Sequence, residues 1–358
     1  MSERSNIRIV DIAKLAGVSV GTVDRVLHNR GRVSEEKRVK IEKVLKEINY
    51  EPNLVARLLA SKHKYTLAAV IPSFTEGDYW SSVSEGINKA ISELRKFGVS
   101  VEYLFFDQAS KESFTQVYNM LEKQDYDGVL IATLFGDQVM ELSHKLDEKE
   151  IPYLYIDSNI PQQKNLAYFG ADSFMSGTIA AKLMLGETGK NSNIVIAQII
   201  NNKEVSTQMQ NRELGFRDYL VKNGFRGKVH RIDMRPNDYL KSLEKIRNII
   251  QESDCMVGGI VFNSRIYEFV YLLEQLNTKD IHQKIKLIGY DTIPRNVEAM
   301  KQDKISFLIG QHSEAQGYEG IRFLSNYLLF NQPVTKMNLM PIDILIKENI
   351  DYYNNYQL

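Results

Sequence analysis

The run Val10-Asp-Ile-Ala-Lys-Leu-Ala-Gly-Val-Ser-Val-Gly-Thr-Val-Asp-Arg-Val-Leu-His-Asn-Arg-Gly-Arg-Val-Ser-Glu-Glu-Lys-Arg38 decides the fold of the amino-terminal region. Asp11 to Ala16 reads as a short helix, with an acid at its favourable start and Ile12, Ala13, Leu15 and Ala16 as its apolar content. Gly17-Val18 breaks it. Ser19 opens a second helix as N-cap, and that helix carries Val20, Val23, Val26 and Leu27. After the turn-forming Asn29-Arg30-Gly31, Ser34 caps a third helix that begins with Glu35 and Glu36. Its apolar stripe is Ile41, Val44, Leu45 and Ile48, at helical spacing. Three short helices, the first two joined by a tight glycine turn, form a helix-turn-helix unit, whose second helix is the one that enters a DNA major groove.

Charge supports that reading. The 358-residue chain has a formal net charge of zero, but residues 1–64 hold 14 Lys+Arg against 8 Asp+Glu, so a basic head precedes a mildly acidic body. A basic segment of this size points to a polyanion, nucleic acid first. With 43% hydrophobic and 25% charged residues the composition is globular, and no run approaches the roughly 18 to 20 apolar residues of a membrane span. The start Met-Ser-Glu-Arg-Ser-Asn lacks a signal-peptide core, and the single cysteine, Cys255, forms no intrachain disulfide. A soluble cytoplasmic protein is the expectation.

Beyond the head, Asn53-Leu-Val-Ala-Arg-Leu-Leu-Ala60 follows the start signal Pro52-Asn53, but eight residues are too few to be helical alone in water. From Leu67 onward β-rich runs alternate with helical ones. Leu67–Ile71, Val101–Phe106 and Gly128–Ala132 precede helical stretches near 82–97, 110–123 and 138–149, and the theme restarts at Ile194–Ile200, Val257–Phe262 and Lys286–Tyr290. Such units imply parallel sheets covered by helices, and the length implies two similar lobes with a ligand between them at the strands' carboxyl ends. Polar groups recur there: Trp80 past the first strand, Asp157 after Tyr153–Ile156, Asn263 after Phe262, Asp291 after Tyr290, and Gln311 after Phe307–Gly310. With Arg212, one turn above a helix glycine, they offer acceptors, a guanidinium donor and an indole face, a set suited to a neutral polyhydroxylated ligand.

The quoted stretch, with Asn49-Tyr-Glu-Pro-Asn-Leu-Val-Ala-Arg-Leu-Leu-Ala-Ser-Lys62, closely resembles the head of the lactose-repressor (LacI) family of bacterial transcription regulators. The resemblance implies that Val20 and Gly21 stand at the two base-reading positions, Arg25 at the arginine that reaches a guanine, and Ser19 and Thr22 at phosphate contacts. Gly21 offers no side chain to read with, and Asp24 replaces a small serine. Residues 53–60 would be the hinge helix, paired across a dimer axis in the minor groove, with Asn53 and Ala56 at contact positions and Leu59 as the wedge that kinks the base steps.

The body resembles the type I periplasmic-binding fold that this family uses to sense effectors. By that resemblance Tyr79 and Trp80 form an aromatic pair, Asp157, Arg212, Asn263, Asp291 and Gln311 occupy ligand positions, and Tyr239 forms a further aromatic wall. The expected architecture is α plus α/β. Residues 1–52 form a helix-turn-helix DNA-binding domain and 53–64 a hinge and linker. Residues 65–358 form two Rossmann-like, doubly wound parallel-sheet lobes, with chain crossings near 168, 306 and 330. The carboxyl terminus lacks the leucine heptads of a tetramerising tail, so a homodimer on a pseudo-palindromic operator is expected, with a sugar or sugar derivative as effector.

Enzyme readings find little purchase. The six histidines form no His-x-x-x-His or His/Cys cluster, so no metal and no cofactor is expected. Gly186-Glu-Thr-Gly-Lys190 superficially resembles a phosphate loop, but Met184 replaces its first glycine and Asn191 its Ser/Thr, which leaves a helix-to-strand turn. Asp157 and Asp291 as a glycosidase pair would leave the head unexplained. The alternative is a sugar-binding protein, or a carbohydrate-active enzyme, whose head has a role other than DNA.

Overall fold

The computed structural model describes residues 9–27, 33–48, 64–199, 206–235, 239–276 and 281–355. The chain divides into two compact units, Met1–Ser61 and Lys62–Leu358.

In the first unit, helices α1 (Ile9–Ala16), α2 (Val20–Leu27) and α3 (Glu35–Glu47) enclose one small core. Ile12, Ala13, Ala16, Val23, Val26 and Ile41 are buried in it, and Val44, Leu45 and Ile48 pack against it half-buried. None of these helices is long enough to persist alone in water, so shared burial, at about 1.5–3 kcal/mol per large apolar side chain, holds them. The α1–α2 turn depends on Gly17, whose φ of +63° is the left-handed conformation that ends a helix most cheaply with glycine. The backbone N–H of Val18 then returns to the carbonyl of Ala13 at 3.0 Å. Ser34 occupies the N-cap position of α3 in extended backbone, but its hydroxyl makes no cap hydrogen bond. Instead its carbonyl accepts from the N–H groups of Lys37 and Arg38, and Glu35 and Glu36 supply the negative charge of the first turn. The expected Asn29–Gly31 turn and the hinge segment with Asn53, Ala56 and Leu59 lie outside the described residues.

The second unit contains two sheets built on one plan. The first lobe runs β1 (Tyr65–Pro72), α4 (Tyr79–Leu94), β2 (Val99–Phe106), α5 (Lys111–Leu121), β3 (Gly128–Ala132), α6 (Gly136–Glu148), β4 (Tyr153–Ile156) and β5 (Ala167–Gly170). The second begins with α7 (Ser173–Thr188), β6 (Ile194–Ile199), α8 (Thr207–Lys222), β7 (Val229–Met234) and α9 (Tyr239–Gln251). It continues through β8 (Val257–Ile260), α10 (Ile266–Glu274), α11 (Ile281–Lys284), β9 (Ile285–Tyr290), α12 (Pro294–Lys301) and β10 (Phe307–Gly310). Three last segments, α13 (Ser313–Phe330), β11 (Met337–Leu339) and β12 (Asp343–Leu345), precede a terminal helix α14 (Ile350–Asn355). Strand order is β11-β5-β4-β3-β1-β2 in one sheet and β12-β10-β9-β8-β6-β7 in the other. Pairing is parallel throughout except between β10 and β12. Central strands such as Gly128–Ala132 and Ile194–Ile199 are buried along their whole length, as strands covered on both faces must be. Edge strand β2 alternates instead, with Val99 and Leu104 buried and Ser100 and Glu102 exposed.

The chain crosses between sheets at 171–172, at 311–312 and at 340–342. The third crossing corrects the expected position near Phe330. After α13 the chain still adds Met337–Leu339 to the first sheet beside β5, and only then leaves it. A three-residue edge strand carries no period that a sequence reading can detect.

Candidate functional site

Within the second unit, the carboxyl ends of the strands converge on a cavity of about 570 Å³. The first turn of α4 supplies Tyr79 and Trp80, whose rings meet edge to face at 5.0 Å. The loop before that helix turns at Gly77, φ +81°, and is held by Asp78, whose Oδ2 accepts from the N–H and the hydroxyl of Thr75. Asp157 follows β4, Asp291 follows β9 and Gln311 follows β10, and all three line the cavity. Asp157 and Asp291 have φ of +75° and +68°, and His312 has +53°. Non-glycine residues hold such backbone only where surrounding contacts dictate it, and it is concentrated at binding sites. At Asp157 and Asp291 it turns the chain away from its strand end while the carboxyl group lines the cleft.

Arg212 reaches the same point from α8. Its helix can lie this close because α7 and α8 touch through glycine: a Cβ at Gly177 would strike the carbonyl of Arg212, and one at Gly215 that of Phe174. The Arg212 side chain is almost wholly buried. Nη1 donates to the carbonyl of Phe262 at 2.7 Å, Nη2 to Gln311 Oε1 at 2.8 Å, and the guanidinium lies 4.0 Å from the centre of the Tyr290 ring. Among the described residues its Nε has no hydrogen-bond partner. Gln311 passes the connection on, donating from Nε2 to Asp291 Oδ1 at 2.8 Å. Asp157 Oδ1 accepts from the Tyr79 hydroxyl at 3.2 Å and from Gln208 Nε2 at 2.8 Å. Gln316 ties the two branches, accepting from the Asp157 N–H at 3.1 Å and donating to the carbonyl of Gln311 at 2.9 Å.

Burial pushes the Asp291 carboxyl up to about 6, against the pull of the Arg212 guanidinium and the Gln311 amide, with Asp157 pushing the same way as burial. Asp157 is likewise raised by burial, opposed by Arg212, Tyr79 and Gln208. Tyr79 is held far above the usual phenol range by burial, then by the neighbouring Asp157. The cleft therefore presents two desolvated carboxyl groups whose charge is costly until further donors reach them.

Asn263 lines the cavity too, half-buried, with its amide donating to the carbonyl of Ile199 at 3.1 Å and its Oδ1 accepting from the N–H of Arg265. Tyr239 does not line it, which corrects the expected aromatic wall. It opens α9, packs partly buried against the second-lobe core and donates its hydroxyl to Glu268 at 3.3 Å. Gln208 and Gln316 were not read from the sequence. Gln208 stands one helical turn before Arg212, and that spacing on a shared face was the available signal. Gly189, φ +80°, ends α7 before β6, so the Gly186–Lys190 run is a helix-to-strand turn.

In the first unit, α2 separates its two faces cleanly. Val23 and Val26 are buried, while Ser19, Val20, Gly21 and Arg25 are exposed and Thr22 is half-buried. Ser19 Oγ accepts from the N–H of Thr22 at 3.3 Å and shares a 2.8 Å hydrogen bond with its hydroxyl.

Comparison with known proteins places both units. Residues 8–53 match the bacterial regulatory proteins of the lacI family, and residues 68–332 match the periplasmic binding protein domain. The chain is 33% identical to a candidate LacI transcriptional regulator from Bacteroides fragilis of known crystal structure, with a TM-score of 0.74 over 81% of this chain and 100% of that one. It is 25% identical over 352 residues to the sucrose operon repressor of Streptococcus mutans, covering 95% of this chain and 92% of the repressor. The match to the transcriptional regulator MalR of Streptococcus pneumoniae is 29% identical over 158 residues and spans 46% of that protein and 43% of this chain. A helix-turn-helix head matched to one family description and a two-lobed body matched to the other, in one chain, make this protein a member of the lacI family of bacterial regulatory proteins.

Proposed function

We propose that this regulator is a cytoplasmic homodimeric repressor that binds a pseudo-palindromic operator and answers to a sugar or sugar derivative held between its lobes. The observation that carries the reading is the cleft, where Asp157, Asp291, Gln311 and Arg212 converge beside the Trp80 indole. Hydroxyl groups donating to both carboxylates offset the cost of their burial, the guanidinium donates to a ring or hydroxyl oxygen, and the indole face packs the C–H side of a sugar. The two carboxyl groups act as acceptors in binding rather than as an acid–base pair. A strongly anionic ligand is disfavoured by the same two groups.

On the DNA side, Arg25 is assigned to a guanine edge through its planar five-donor fork, Ser19 and Thr22 to phosphates, and Val20 to a thymine methyl, with Gly21 leaving its base pair unread. Asn53, Ala56 and Leu59 are assigned to the minor groove, where Leu59 wedges the central step. Ligand closing the cleft alters the spacing of the two hinges and so their folding on DNA. By linkage this changes operator affinity only by the ligand's differential affinity for the two lobe arrangements, typically about 1–3 kcal/mol. The direct test combines a thermal-shift screen of monosaccharides, polyols and nucleosides with electrophoretic shift on DNA from upstream of the neighbouring genes. A sugar that raises the melting temperature and changes DNA retention supports the reading. Salt-insensitive retention, or none on any fragment, overturns it.

A further inference from the structure

Gln208, the second residue of α8, is buried at the seam between the lobes. Its Nε2 lies 2.8 Å from Asp157 Oδ1, 3.2 Å from the Asp157 carbonyl and 3.2 Å from Gln311 Oε1. A primary amide has two hydrogens, and this one faces three acceptors. Two of them belong to the end of β4 in the first lobe, the third to the segment crossing back from β10, while Gln208 itself rides on a helix packed against the second sheet. The contact thus spans the cleft. It also delivers a donor to a carboxylate that burial has made costly to ionise.

We infer that Gln208 is a positioning residue that latches the lobes together in place of ligand, and that a ligand hydroxyl takes its place on Asp157 Oδ1 only by displacing this amide. The inference rests on reading the cleft as the ligand site, but the latch itself acts with neither ligand nor DNA present. A donor lost from a charged acceptor shifts the closed–open balance by about tenfold or more. Removing the amide therefore opens the unliganded cleft while sparing Asp157 a competitor.

Trp80, the chain's single tryptophan, lines this cleft and is 5% exposed, so acrylamide quenching of the full-length protein alone reads cleft opening. Gln208→Ala is expected to raise the Stern–Volmer constant about twofold or more at pH 7.5. Gln208→Glu sets a carboxylate against Asp157, with the Tyr79 hydroxyl on the same Asp157 oxygen and the Asp291 carboxyl and Arg212 guanidinium of the cleft as the other titratable and charged groups around that position. It is expected to open the cleft at pH 7.5 and to close it by pH 5, as the new pair takes up a proton. That dependence should be steeper than in the wild type or in Gln208→Ala, and a merely structural role for position 208 does not produce it. Wild-type quenching in Gln208→Ala with an unchanged small-angle scattering radius overturns the latch. If that variant fails to fold, a flat pH response in Gln208→Glu overturns it equally. Because no sugar or operator is present, failure of the regulatory reading leaves these outcomes untouched, and the reverse also holds.

Discussion

The exposed face of α2, proposed to read DNA, and the cleft of the second unit, proposed to hold the effector, are built under opposite conditions. Ser19, Val20, Gly21 and Arg25 stand within seven consecutive residues, about two turns of helix, and face solvent. Asp157, Arg212, Asp291 and Gln311 come from four separate segments and are buried. On the helix, the core and the proposed reading face fall almost entirely to different residues, since Val23 and Val26 are buried while Val20, Gly21 and Arg25 remain outside. In the cleft the side chains proposed to bind ligand are also part of the buried structure. Arg212 counters two carboxyl groups, supports Gln311 and covers the Tyr290 ring, so recognition there cannot be altered without altering stability.

The sharpest way to break this contrast is Arg212→Met. It leaves Asp157 and Asp291 buried without their guanidinium, and an uncompensated buried charge costs about 3–5 kcal/mol. A large drop in melting temperature is expected at pH 7.5, partly recovered at pH 5 where the carboxyl groups protonate. Melting unchanged from the wild type would show that the cleft is as separable from its scaffold as the helix face.

Asp291→Asn follows with a smaller effect of definite sign. Burial raises this carboxyl to about 6, while the unfolded chain releases the proton near 4. Between those values the native state holds the proton that the unfolded state has lost. Stability from this group is therefore complete below pH 4, falls as pH rises through about 6, and stays lost above it. Wild-type protein is expected to melt higher at pH 5 than at pH 7.5, and Asp291→Asn to narrow that gap, with Asp157 supplying the remainder. Melting curves across pH 5–8 decide it.

Arg25→Ala tests the other side of the contrast. It should cost about 1–3 kcal/mol in operator binding and relax preference at one base pair. Stability should change by no more than about 0.5 kcal/mol, as for other exposed positions. Binding selections on randomised DNA read the first outcome, and unchanged sequence preference removes Arg25 from the reading face.

These contrasts also explain what the sequence disclosed. The helix-turn-helix was legible because its information is local: Gly17 at a turn, Ser19 three residues before Thr22, and Val23 and Val26 at helical spacing. The long buried strands were legible for the same reason, as continuous apolar runs such as Gly128–Ala132. Asp157, Asp291 and Gln311 could be picked out because a polar residue after such a run marks its carboxyl end. The left-handed backbone of Asp157 and Asp291 could not be, since their N–H groups are held by partners from other segments, Phe169 and Gln316 for the first and Ile309 for the second. Gln208 is not legible because its partner oxygen lies 51 residues away, and the place of Tyr239 is not legible because nothing local says which side of a sheet its helix covers. Strand β11 is too short to announce itself, so the third crossing is not legible either.

Ser19→Ala is the smallest and most discriminating case, because Ser19, exposed at the position just before α2, has a hydroxyl that also serves the fold. Its Oγ accepts from the Thr22 N–H at 3.3 Å beside the 2.9 Å bond that the same N–H makes to the Ser19 carbonyl, so losing this cap costs at the low end for such positions, about 0.5 kcal/mol. The phosphate contact assigned to it would be lost in the same substitution, so Ser19→Ala alone cannot separate the two roles. Ser19→Asp can. Its carboxylate still caps the N–H and complements the positive end of α2, while it repels the DNA backbone. Hydrogen exchange across α2 in the full chain should then quicken in Ser19→Ala but remain near wild type in Ser19→Asp, and DNA affinity should fall in both. If Ser19→Asp retains DNA affinity, position 19 serves only the helix, and the division between scaffold and recognition on α2 is drawn one residue too far toward its start.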